Sequence, residues 1–174
     1  MPQLSDPNFR RAVVLVVHHD ADSTFGLVLN REVELSVSEL CESLEFPWNG
    51  NRAAEVAWGG PVESHTGWLL FQDGLDTVVE EEQISRLNDG LCFAGSMDVF
   101  RELAEHPPQD LRIFLGYAGW GDGQLEAELA QGAWVVAPLS ADVVFDVPVE
   151  AMWDHVLRAM NIDPGTLIST AGVH

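Results

Sequence analysis

LRIFLGYAGWGDGQLEAEL, residues 111–129, passes from an apolar stretch through four glycines and two aromatics within eight residues into a carboxylate-rich run. The apolar LRIFL stretch predicts a strand, the glycine-rich stretch a tight turn, and QLEAEL a helix. A helix amino terminus after glycines also presents free N–H groups to an anion. The charges oppose that use: Asp122, Glu126 and Glu128 sit in the first turns, and no basic residue lies between Arg112 and Arg158. Those carboxylates complement the helix dipole instead, with Asp122 the expected N-cap. The GxxxxGK[ST] spacing of a nucleotide loop is missing, so the stretch reads first as a strand-to-helix turn, open to an uncharged or cationic ligand.

Working outward, AVVLVV at 12–17 and FGLVLN at 25–30 flank a polar DADS segment and predict two buried strands joined by a turn. In 36–45, Val37, Leu40, Cys41 and Leu44 share one helical face. Strands are expected at 55–58, 67–71, 76–80 and 90–93, the first ending at Gly59-Gly60-Pro61. Ser96 then caps a helix with Phe100, Leu103 and Ala104 inward, stopped by Pro107-Pro108. Strands at 134–137 and 143–145 and a helix at 149–160, striped by Val149, Met152, Trp153, Val156 and Met160, complete the reading.

Strands and helices interleave without repeat or low-complexity linker, so residues 1–174 are expected to form a single α+β (α/β-like) domain. The chain holds 174 residues, 47% of them hydrophobic, enough to bury one sizeable core. Its 28 acidic residues face 8 basic ones, all arginine, for a formal charge of −20, which disfavours nucleic acid and anionic membranes as partners. No membrane-length apolar run and no signal-peptide order is visible, which leads to the expectation of a cytoplasmic location. Cys41 and Cys92 lack metal-type spacing and are expected to be reduced thiols.

His18 and His19 leave opposite faces of an extended chain, so at most one joins any given site. Glu63 and His65 can share a face and meet one of them, but no zinc signature is present, and no metal or cofactor is expected. GxSxG, SxxK and Rossmann glycine patterns are all missing, so no catalytic residue can be assigned. Cys41 lies on a core stripe among Glu39, Glu42 and Glu45, surroundings that favour the neutral thiol. The six tryptophans read mainly as core, with a partner surface as the lesser use.

The ordered blocks LSDPNFRRAVVLVVHH, GLVLNR, GGPV, GYAGWGDGQLEAEL and AWVVAPLSADVVF, followed by a tryptophan-bearing helix, resemble the AlgH/YqgE family of bacterial proteins across residues 4–168. The resemblance implies a mixed, partly barrel-like β-sheet surrounded by helices and brings no accepted catalytic residue or cofactor. One branch of that family carries a name tied to transcriptional control of alginate production. Asp6, Pro7, Phe9, Arg10, His19, Asn30, Arg31, Gly59, Gly60, Pro61, Gly116, Tyr117, Trp120, Gly123, Gln124, Leu125 and Glu126 match its blocks. His18 and Thr66 depart from it, Thr66 standing where the family commonly has arginine, which weakens any anion site. The expected function is regulation or binding through a protein or small-molecule partner, with candidate binding residues His19, Asn30, Gly59, Gly60, Tyr117, Trp120, Gln124 and Glu126. The alternative is an enzyme or ligand-binding site between the GGP turn and the 116–126 segment, and direct DNA binding ranks last.

Overall fold

The computed structural model describes residues 9–72 and 81–166. β1 (Val14–His19) and β2 (Thr24–Val28) form an antiparallel hairpin; Asp20 closes its turn by accepting the N–H groups of Asp22 and Ser23. β3 (Glu32–Ser36) leads directly into α1 (Val37–Ser43), followed by β4 (Glu55–Trp58) and the long β5 (Val62–Gln72). β6 (Ser85–Arg86), β7 (Leu91–Ala94) and α2 (Met97–Glu105) precede β8 (Leu111–Trp120). β8 is followed by α3 (Gln124–Ala130), α4 (Ala141–Asp146) and α5 (Met152–Ala159), and residues 164–166 are again helical. The strand expected at 76–80 lies outside the described residues.

β8 organises the sheet. One of its edges runs antiparallel to β5, while the other pairs in parallel with β4 at Phe114 and Leu115 and then antiparallel with β2 at residues 118–120. The full path is β1-β2-β8-β5-β7-β6, with β3 and β4 as a branch. The sheet is mixed, as expected, and the α and β elements form one curled half-barrel domain.

Strand alternation feeds two cores. Val56, Leu69, Phe71, Cys92 and Ile113 face α1 and α2 with Cys41, Val99 and Leu103. Their chain neighbours Ala57, Leu70, Leu91 and Phe114 face the other way, with Leu15, Leu27, Val144 and Met152, which brings α4 and α5 onto that side. Both cysteines are buried in the first core, where desolvation pushes the Cys41 thiol up to about 11.

The caps follow local chemistry. Ser36 and Glu39 make a reciprocal capping box on α1, and Ser96 accepts from Asp98 N at the start of α2. Asn161, at φ +61°, ends α5, where Ile162 N bonds back to Leu157 O.

Three local expectations are corrected. Residues 143–145 are helical because α4 buries Ala141 and Val144 at i and i+3 while Asp89 Oδ2 accepts the Ala141 N–H at 2.8 Å; this packing overrides the strand preference of paired valines. Residues 134–137 join no ladder among the described residues; the Trp134 indole is instead drawn to Glu128. The N-cap of α3 is Gly123, at φ +67°, rather than Asp122, and the residue-121 turn is held by the Gln124 side chain.

Candidate functional site

The glycine-rich turn is shorter than its sequence suggests, because β8 continues through Trp120 and leaves only residues 121–123 as turn. Its glycines permit a backbone crossing. Gly116, at φ +77°, stands where β8 changes partner from β4 to β2, and the GGP turn leaves β4 across it. A Cβ on Gly59 would lie 2.3 Å from Gly116 O, and one on Gly60 would lie 2.1 Å from Tyr117 O. Only glycine allows the two chains so close. The GGP turn and the 116–126 segment therefore do converge, but backbone fills the space between them.

Asn30 also serves the frame. Its Oδ1 accepts the Val13 N–H at 2.9 Å and its Nδ2 donates to Arg11 O at 2.8 Å, while Arg31 donates to Arg10 O and Asn30 O. Together they fasten the approach to β1 onto the end of β2. Tyr117 stacks on Phe25 at 4.5 Å, beside Trp68, whose edge meets the Phe25 ring at 4.9 Å and 75°. The Trp68 Nε1 is buried without a hydrogen-bond partner among the described residues.

On the opposite side of the sheet, Glu128 is 4% exposed and collects the polar groups of the turn. Its Oε2 accepts the indole N–H of both Trp120 and Trp134 at 2.8 Å, and its Oε1 accepts from Gln124 Nε2 at 3.2 Å. Gln124 Oε1 in turn accepts the Gly121 N–H at 3.0 Å. A buried carboxylate persists when such donors surround it. Phe9 closes the cluster against both tryptophans, at 6.2 and 5.8 Å.

The half-exposed remainder is a short chain of polar groups. His19 Nδ1 lies 2.5 Å from Thr24 Oγ1, and its Nε2 lies 3.0 Å from Glu126 Oε1. A proton on Nε2 would point at the Glu126 carboxylate, and in that tautomer Nδ1 accepts from the Thr24 hydroxyl. The Thr24 hydroxyl, which can donate or accept, holds the ring plane. Its own exposure is 4%, whereas the His19 and Glu126 side chains are 44% and 50% exposed.

His18 points away to Asp20, at 2.7 Å, and that contact with the turn N–H groups holds the Asp20 carboxyl at about 2. Glu63 instead accepts from Thr66 Oγ1, and no group of three or more metal-ligating side chains gathers among the described residues. Sequence reasoning missed Thr24 and Glu128. The hairpin register that pairs His19 with Thr24, and the i, i+4 spacing of Gln124 and Glu128, are the signals that find them.

Sequence relatives and solved structures agree with this architecture. A family model described as AlgH-like matches residues 1–165. A UPF0301 protein of Myxococcus xanthus (strain DK1622) is 37% identical over 100% of this chain and 94% of its own length. One from Ruegeria pomeroyi is 34% identical over 99% of this chain and 94% of its own. The solution structure of the AlgH protein from Pseudomonas aeruginosa is similar with a TM-score of 0.77 at 32% identity, covering 97% of this chain and 88% of that one. A crystal structure from Corynebacterium diphtheriae shares the fold, with a TM-score of 0.72 at 24% identity, over 91% and 82% of the two chains. With its glycine crossing and mixed half-barrel sheet, the chain belongs to the AlgH-like family of UPF0301 proteins.

Proposed function

We propose that this chain is a cytoplasmic binding protein with a regulatory role, acting through contacts with another protein. One observation carries the reading: the polar groups of the glycine-rich segment turn inward onto Glu128, and backbone fills the space beside the GGP turn. Among the described residues, the backbones of Gly59–Gly60 and Gly116–Tyr117 lie too close for a side chain to stand between them. The formal charge of −20 disfavours DNA as the regulated target. Capture from native lysate, followed by reconstitution with the purified partner, tests the reading. A defined complex is expected; turnover of a small molecule with no protein bound overturns it.

The linked hydroxyl, imidazole and carboxylate of Thr24, His19 and Glu126 favour a second reading, acyl transfer. Thr24 is too buried to attack a substrate, so water would be the nucleophile that displaces the leaving group, with His19 as the base that takes its proton. Hydrolysis of p-nitrophenyl acetate separates the two: a rate above buffer that His19→Ala abolishes supports the enzyme, and an unchanged rate removes it.

A further inference from the structure

We propose that the cleft along β3 is a docking groove for a lysine- or arginine-rich segment of a partner protein, which adds to the sheet as an extended strand. The inference rests on the reading of the chain as a protein-binding protein and names the partner's chemistry. Among the described residues, β3 ends its branch of the sheet and pairs only with β4. Even that ladder is sparse: Glu32 pairs with Ala57 and Ser36 with Glu55, with a register irregularity between them. Val33, Glu34 and Leu35 have no registered partner on β4.

A cleft of about 480 Å³ follows this strand, lined by all five of its residues together with Glu39 and Glu55. Val33 and Leu35 are partly buried against the first core and give the groove an apolar side. Glu32, Glu34, Glu39 and Glu55 are exposed, and none of the four makes an ion pair within 4 Å among the described residues, although Arg112 acts on Glu32 at longer range and Glu39 accepts the Ser36 N–H. Strand alternation puts Glu32 and Glu34 on one side of β3, so an incoming strand with basic residues at every second position meets them in register. Its main chain meets the free edge, and edge pairing supplies affinity while side chains supply choice. A second copy of this chain is a poor occupant, since its own β3 would bring like charges together.

The probe is a fluorescent acetyl-KVKVKV-amide, titrated into the intact folded protein by anisotropy and by amide chemical shifts. Binding that weakens with salt is expected, with shifts centred on Glu32–Ser36. Glu34→Gln and Glu55→Gln should each weaken it about two- to fivefold. The same peptide N-methylated at alternate backbone nitrogens keeps its charge but loses strand pairing, and should bind at least about tenfold less tightly. Equal binding of the methylated peptide overturns strand addition, and shifts confined to other surfaces overturn the location, as does no binding at all. Should a captured partner bind without competition from the peptide and without response to Glu34→Gln, the groove is refuted while the broader binding reading stands.

Discussion

The glycine-rich crossing and the β3 branch lie on either side of β4 and use their polar groups in opposite ways. At the crossing, Gly59 and Gly60 meet Gly116 and Tyr117 at distances that leave no room for a side chain, and the nearby indoles and amide converge on Glu128. Along β3, three consecutive residues lack ladder partners and four carboxylates face solvent. The segment most conspicuous in sequence is therefore architecture. The segment with the irregular ladder and the exposed carboxylates passes almost unmarked in the sequence.

The sharpest way to break this contrast is at the crossing. Gly60→Ala would place a Cβ 2.1 Å from Tyr117 backbone, and should cost more than about 3 kcal/mol in chemical denaturation. A loss below about 1 kcal/mol would show that the two chains can separate cheaply. Glu128→Ala comes next: it strands two indole donors and should cost about 2–3 kcal/mol, with tryptophan fluorescence shifting as the cluster loosens. Glu128→Gln retains an acceptor and should cost less.

Smaller effects sharpen the picture. The Cys41 thiol sits above its unfolded value of 9.0, at about 11, so stability is full below pH 9 and falls as pH rises through 11. Cys41→Ala should flatten that part of the stability–pH curve relative to the parent, and identical alkaline slopes would contradict the burial argument. Smallest is His19→Ala, which removes a half-exposed pair and should change stability by less than about 1 kcal/mol. It should leave peptide affinity at β3 unaltered, and a large loss of that affinity would join the two regions.

Much of the frame was legible because its signals are local. The β1–β2 hairpin, the stripe of α1 and the Ser96 cap of α2 each follow from spacing within a few residues. The valine pair of α4 misled because its conformation depends on Asp89, 52 positions away. Gly59 and Gly60 stand out in the sequence as candidate binding residues, whereas their role in the fold is a contact with Gly116 and Tyr117, far away in the chain, which no spacing reveals. β3 was missed altogether: its alternation of Glu32, Val33, Glu34 and Leu35 is short and merges with the helix that follows, and its irregular pairing leaves a weak strand signature.

Hydrogen exchange at the β3 amides, with and without the basic peptide, separates architecture from binding surface. The amides of Val33, Glu34 and Leu35 should exchange rapidly in the free protein and gain protection when the peptide is added, while residues 116–128 remain protected throughout. Unchanged exchange at β3, with new protection appearing instead around His19 and Glu126, would place the binding surface on the glycine-rich segment after all.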